Sequence, residues 1–328
     1  MAVTSAQRLR IALIGAGLMG SLHARVVSQS PDAELSCIVD PDERTGAPIA
    51  ERYRTRWVPK LDDLGPFDAV IVASPSATHF EWGRNALAAG KPVLIEKPLS
   101  ERLFETEALI QDARQRGIPV MCGLLERFNP AVMTAMTIVD DPIHMTSIRH
   151  SPYADRIATG VAYDLLIHDV DLILRFANST PTDLKSHVGH CHPKSASHAE
   201  DVVEVSMQFA TGCVASLSAS RVSQRKMRIL NIAELDRLVE IDLVRQDVTV
   251  YRHVGEELVD GANAAYRQQT VIDIPAITNA TEPLAGQLAH FLSLVRGMGD
   301  MERELASLEA PHRITASAIE LGETLPTA

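Results

Sequence analysis

Asp164, His168 and Asp171 stand at positions i, i+4 and i+7 of one segment, so on an α-helix they share a face. The flanking residues Leu165, Leu166, Ile167, Val170, Leu172, Ile173, Leu174 and Phe176 are apolar nearly all round, which predicts a buried helix over Tyr163–Ala177. Desolvating carboxylates without partners costs several kcal/mol, on the order of the penalty for any unpaired buried ion. The stripe therefore reads as the wall of a cleft or as a polar network fixing the helix. In a cleft, His168 suits a general base, because an imidazole's ordinary pKa of about 6.5 lets it take a proton near neutrality. Asp164 would orient the ring.

A second candidate is Lys97 in Glu96-Lys97-Pro98, directly after the apolar run Val93–Ile95. Ligands of open α/β sheets bind beyond the carboxyl ends of strands, and Pro98 confines Lys97 to extended backbone. A lysine there would donate to a substrate oxygen and stabilise alkoxide charge. An ordinary solvated lysine fits the position equally well.

Both groups presuppose a hydride acceptor, and the N-terminal run Ile11-Ala12-Leu13-Ile14-Gly15-Ala16-Gly17-Leu18-Met19-Gly20 offers a place for one. It joins a strand to a G-x-G-x-x-G turn and a helix over Ser21–Gln29. Such a turn brings backbone N–H groups and a helix N-terminus to a dinucleotide pyrophosphate. A strand over Glu34–Val39 follows, ending at Asp40, 20 residues after Gly20, where a ribose-binding acid is expected. A carboxylate accepts from a free 2′-hydroxyl and repels a 2′-phosphate, so NAD is favoured over NADP. Arg44 could counter that preference if turned inward.

The 328 residues, 46% of them hydrophobic, suffice for two domains. A net charge of −11 argues against a sequence-independent grip on nucleic acid or an anionic membrane. No apolar run approaches membrane-spanning length and Met1–Arg10 has no signal-like apolar core, so a cytoplasmic protein is expected. Cys37, Cys122, Cys191 and Cys213 are scattered without a C-x-x-C pair and read as reduced packing residues. His187, His190, His192 and His198 near Cys191 complete no ligand set, so no metal site is expected.

Strand and helix signals alternate through the first third: Ala69–Ala73, a helix over Thr78–Ala89, Val93–Ile95, a helix over Glu101–Arg116 capped by Ser100 and closed by Gly117, then a strand from Pro119 to Leu124. This predicts a Rossmann-type parallel sheet over residues 1–121. Residues 122–328 read as a second α/β domain with a large, mostly antiparallel open sheet. Its strands are Met145–His150, a hairpin of Val202–Phe209 with Cys213–Ser220, Leu238–Leu243 and Val248–Tyr251; helices around Leu284–Arg296 and His312–Glu323 close the chain.

Taken together, the glycine turn, Glu96-Lys97-Pro98 and Asp164-Leu-Leu-Ile-His168-Asp169-Val-Asp171 resemble the Gfo/Idh/MocA family of nicotinamide-dependent sugar and polyol oxidoreductases. The resemblance spans essentially the whole chain. It implies Lys97, Asp164 and His168 as the catalytic set and Asp171 as the trailing acid facing substrate. Cofactor contacts are implied at Gly15, Gly17, Leu18, Met19 and Gly20, at Asp40, at Ser74 and His79 of the loop Ser74–His79, and at Glu96 and Lys97. Ser76 and Thr78 of that loop also read as helix caps. A homodimer or homotetramer through the C-terminal sheet is implied as well.

Glu126-Arg127-Phe128-Asn129-Pro130 and Gln246-Asp247-Val248-Thr249-Val250-Tyr251 resemble the branch holding UDP-N-acetylglucosamine 3-dehydrogenases, although Asn231–Val239 lacks the glycine-containing turn expected there. Arg127 and Tyr153 become substrate contacts by that analogy, with capping or surface placement as alternatives. The expected activity is hydride transfer between a secondary hydroxyl of a sugar, polyol or nucleotide sugar and nicotinamide. Redox-neutral glycoside cleavage and a non-catalytic sugar sensor are the other readings.

Overall fold

The computed structural model describes residues 7–60, 65–155, 158–196, 199–260, 263–277 and 281–323, with the backbone alone for 256–260 and 263–268. The chain divides into two compact units: residues through 125 together with 282–316, and residues 126–281 together with 317–328.

The first unit is a six-stranded parallel sheet in the order β3-β2-β1-β4-β5-β6. Its strands are β1 (Leu9–Ile14), β2 (Ala33–Val39), β3 (Arg56–Val58), β4 (Ala69–Val72), β5 (Val93–Ile95) and β6 (Val120–Cys122). Their inner residues are apolar, with Ile11, Leu13, Ile38, Ile71 and Leu94 fully buried. The order reverses between β1 and β4, which places a crevice beyond their carboxyl ends. Helices α1 (Leu18–Gln29), α2 (Glu43–Arg52), α3 (His79–Ala88) and α4 (Leu103–Arg116) make four of the five crossovers.

Gly117 closes α4 at φ +64°, as its sequence predicts, but Ser100 does not cap it. The helix starts two residues later than expected, and the Ser100 hydroxyl instead accepts from the Arg102 N–H and donates to Glu105.

The second unit carries an eight-stranded sheet in the order β14-β13-β12-β11-β7-β10-β9-β8, antiparallel except where β10 runs beside β7. In chain order these are β7 (His144–His150), β8 (Pro181–Gly189), β9 (Val202–Phe209), β10 (Val214–Ser220), β11 (Met227–Ala233), β12 (Leu238–Asp242), β13 (Asp247–Asp260) and β14 (Asn263–Asp273). Short α5 (Pro130–Ala135) and buried α6 (Ile167–Ala177) belong to this unit. The β11–β12 hairpin closes without glycine: Glu234 N–H donates to the Arg237 carbonyl at 2.8 Å, and the Arg237 guanidinium clamps the Glu234 carboxylate at 2.5 Å.

The first break falls after Leu125, four residues from the expected position, and Glu126 just beyond it pairs with buried Arg149 at 2.9 Å. Two readings of the sequence need correcting. Residues 282–316 belong to the first unit, where α7 (Pro283–Val295) and the early part of α8 (Met301–Glu323) return; Arg296 pairs with Asp32 at 2.9 Å and Arg25 with Glu282. The closing helix, expected over His312–Glu323, begins at Met301 and runs through Pro311.

Candidate active site

The glycine turn shows three different demands at its three glycines. Gly15 sits at φ +91°, and a Cβ there would lie 2.6 Å from the Ala73 and Ser74 backbone. At Gly20 a Cβ would meet the Gly15 carbonyl oxygen at 2.0 Å. At Gly17 nothing lies within 4 Å, so its missing side chain serves no packing purpose inside the protein. Gly17 is also the N-cap of α1, whose first N–H groups receive no side-chain cap, and Leu18 beside it is 60% exposed. An open backbone surface at a helix N-terminus fits a pyrophosphate.

Asp40 bounds this surface at the end of β2, half-buried. One carboxylate oxygen accepts from the Ala16 N–H at 2.7 Å, the other from the Asp42 N–H at 2.9 Å and the Thr45 hydroxyl at 3.1 Å. The acid thus holds the glycine turn. The oxygen bonded to Ala16 keeps acceptor capacity for a ribose hydroxyl. Arg44 folds back onto Asp42 at 2.9 Å and does not counter this acidity.

Lys97, half-buried, follows β5 in a segment anchored by Glu96 N–H to the Val72 carbonyl at 2.8 Å. The Glu96 side chain is buried and bonds His23 Nε2 at 2.7 Å. Burial alone would raise the Glu96 pKa; the hydrogen bond from His23 and the charges of His23, Lys97 and His79 outweigh it and hold the carboxyl below its ordinary range. His79 is 1% exposed, with Nδ1 2.7 Å from the Pro98 carbonyl and Nε2 2.9 Å from the Ser74 carbonyl. The Glu96 and His79 side chains are thus both engaged by partners within the first unit. Ser74 remains half-buried, its hydroxyl on that of Thr78 at 2.7 Å, and Thr78 closes the turn through the Pro75 carbonyl rather than capping α3.

In the second unit, Asp164 lies in a π-helical turn, Ala162–Leu166, that runs into α6. The Glu200 carboxylate accepts the Ala162 N–H at 2.7 Å at the start of that turn, and a Cβ at Gly160 would collide with it at 2.0 Å. Burial raises the Glu200 pKa.

The expected stripe divides. Asp164 and His168 are half-buried, with His168 Nδ1 on the buried side. Asp171 is buried and forms a two-pronged pair with Arg127 at 2.8 and 2.6 Å; Asp169, outside the i, i+4, i+7 stripe, is buried against Arg149 at 2.8–3.0 Å. Arg127 and Asp171 are therefore each other's countercharge within a buried polar network. Glu126 extends the network through Arg149, Arg228 and the Asn129 amide; burial would raise its pKa, and the Arg149 charge with the Asn129 and Arg149 hydrogen bonds lowers it below the ordinary range. Asn129 also caps α5 through the Ala131 N–H, with Pro130 in the first turn.

Tyr153 stacks on His192 with centroids 3.5 Å apart. Among the described residues no three metal-ligating side chains converge; His198 lies outside them. Cys191 is exposed rather than packed, while Cys37, Cys122 and Cys213 are buried. No helix among the described residues is long and apolar enough to cross a membrane. His23, Arg149, Glu200 and His312 escaped the sequence reading, since each acts through tertiary partners distant along the chain.

Residues 9–124 match an oxidoreductase family with an NAD-binding Rossmann fold, and residues 137–239 match the GFO/IDH/MocA C-terminal domain. The chain is 29% identical over 290 residues to UDP-N-acetylglucosamine 3-dehydrogenase of Acidithiobacillus ferrooxidans, covering 88% of each. It is 28% identical over 230 residues to inositol 2-dehydrogenase of Rhizobium meliloti, covering 65% of this chain and 69% of that one. A solved structure of the Acidithiobacillus ferrooxidans dehydrogenase superposes with a TM-score of 0.81 at 26% identity over 98% of both chains.

Proposed function

Since the chain belongs to the Gfo/Idh/MocA family of NAD-binding oxidoreductases, we propose that it oxidises a secondary hydroxyl of a nucleotide sugar, sugar or inositol, or runs the reverse reduction. The observation that carries this reading is the open, uncapped glycine surface at Gly17 in the first unit; Lys97 of the same unit and Asp164 and His168 of the second are each half-buried.

Bound NAD would lie against Gly15, Gly17 and Gly20, with Asp40 on its ribose, and supplies the hydride acceptor at nicotinamide C4. His168 would take the hydroxyl proton on Nε2 while the carbinol carbon gives up a hydride, so that the C–OH becomes a carbonyl. Lys97 donates to the same oxygen and stabilises its developing negative charge. Asp164 orients the imidazole. Arg127 with Asp171, and Arg149 with Asp169, hold α6 so that His168 keeps its place.

Similarity to a UDP-N-acetylglucosamine 3-dehydrogenase across 88% of the chain supports a nucleotide sugar over a free polyol. The reading extends to a cytoplasmic homodimer or homotetramer joined through the second sheet, where Val254, Val271, Ile272 and Ile274 are exposed.

The test is NAD reduction at 340 nm with UDP-N-acetylglucosamine, myo-inositol and scyllo-inositol, beside NADP. Lys97→Ala and His168→Ala are each expected to lower kcat by on the order of 10²-fold or more. Wild-type turnover in both would end the assignment, and activity without net NADH release would favour redox-neutral cleavage.

A further inference from the structure

Three buried imidazoles converge on the four residues 96–99 that carry Lys97. His23 holds the Glu96 carboxylate at 2.7 Å. His79 reaches the Pro98 carbonyl at 2.7 Å, and its other nitrogen reaches the Ser74 carbonyl at 2.9 Å. His312 Nε2 lies 3.0 Å from the Leu99 N–H, with Nδ1 2.7 Å from the Leu308 carbonyl one turn earlier in its own helix. None of the three is more than 2% exposed.

The chemistry of these contacts fixes what each ring must be. Carbonyl oxygens only accept, so His79 satisfies both of its neighbours as a donor on both nitrogens. The Leu99 N–H only donates, so His312 must keep Nε2 free of a proton and carry its proton on Nδ1 toward Leu308. A phenylalanine or leucine at these positions would fill the volume and hold neither backbone group. The polar character of two fully buried rings is thus spent on the backbone immediately after Lys97.

We propose that His79 and His312 are positioning residues for Lys97: acting on the Pro98 carbonyl and the Leu99 N–H, they fix the backbone from which the amine reaches the reacting oxygen. His79 couples this segment to Ser74 of the loop expected to line the cofactor. The proposal rests on the catalytic reading of Lys97, and a displacement of about 1 Å at such a group is enough to cost roughly 10²-fold in rate.

The experiment compares His312→Leu, His312→Gln, His79→Phe and His79→Gln with wild type, alone and on a Lys97→Ala background, using UDP-N-acetylglucosamine and myo-inositol as substrates. His312→Leu and His79→Phe are expected to lower kcat about 10- to 100-fold while KM for NAD and NADH affinity, read by nicotinamide fluorescence, stay within about threefold. His312→Gln, whose amide oxygen accepts from Leu99, recovers most of the loss. On Lys97→Ala the same changes cost less than about threefold, because residues acting through one group are not additive.

A second readout needs no turnover: in the cofactor-free protein, the acetylation rate of Lys97 with acetic anhydride, read by mass spectrometry, shifts in His312→Leu while that of Lys185 does not. Wild-type kcat in the Leu and Phe variants, losses that multiply with Lys97→Ala, or an unchanged Lys97 labelling rate would overturn the proposal. If the Leu and Phe variants do not fold, the glutamines decide: His79→Gln, which keeps a donor for only one carbonyl, must fall below His312→Gln in kcat, and equality overturns it. Wild-type turnover in Lys97→Ala itself refutes the catalytic reading instead, and the labelling rate then judges the positioning alone.

Discussion

Replacing Asp169 by alanine removes the main countercharge of Arg149, a guanidinium with 1% of its side chain exposed. In the native protein Asp169 receives bonds from Arg149 Nε at 3.0 Å and from a terminal nitrogen at 2.8 Å, while Glu126 takes the other terminal nitrogen at 2.9 Å. Burial opposes the cation, and the charges of Asp169 and Glu126 more than offset it, so Arg149 remains charged. After the change, one carboxylate already shared with Arg228 and Asn129 faces it. Breaking a buried pair from one side costs about 3–5 kcal/mol. At about 1.4 kcal/mol per decade, the slowest-exchanging amides of β7 and α6 should exchange about 10²- to 10⁴-fold faster.

Amide hydrogen exchange measures this directly, and the protein carries its own control. Both tryptophans, Trp57 and Trp82, lie in the first unit, so their urea-induced fluorescence change reports on the other sheet and should move far less. Loss of protection under tenfold in β7 and α6 would refute the view that this network, and not apolar packing alone, fixes the helix of His168.

Gly17→Ala and Gly20→Ala should behave oppositely. The alanine at 17 meets open space, so the apo melting temperature holds while the stabilisation by added NAD largely disappears; the alanine at 20 strikes the Gly15 carbonyl and lowers the apo melting temperature itself. Equal behaviour of the pair would contradict the cofactor cradle. For Glu96, a folded pKa below the ordinary 4.5 means that the unfolded chain takes up the proton first on acidification. Its stabilisation is therefore complete above about pH 4.5 and is lost as pH falls through the depressed folded value. The melting-temperature gap between wild type and Glu96→Gln should be flat near neutrality and narrow in acid; a gap that widens would reverse the sign of the argument.

Local signals were legible where the fold obeys local rules. The β1 run, the three glycines, Asp40 and the Gly117 cap each follow from one residue's backbone or charge, and each stands where the sequence puts it. The periodicity of Tyr163–Ala177 located the buried helix but not its π turn, because an extra residue in a turn leaves the apolar pattern nearly unchanged. Helical spacing placed Asp171 and Asp169 on opposite accounts, yet both are buried: what decides is an arginine from elsewhere in the chain, Arg127 for one and Arg149 for the other. In the same way the resemblance that implies Glu96 and His79 as cofactor contacts gives no sign of the partners His23 and Ser74 that hold their side chains. Spacing finds which residues can share a face; it does not say which charges have already been answered.

The return of residues 282–316 to the first unit makes the nucleotide-binding half a non-contiguous object. A fragment cut after Leu125 would lack α7, the Arg296 hold on Asp32, and the imidazole that receives the Leu99 N–H. Exchanging the second unit in this scaffold therefore calls for two splice points, with residues 282–316 retained; a single-crossover chimera would replace the imidazole behind Leu99 along with that unit.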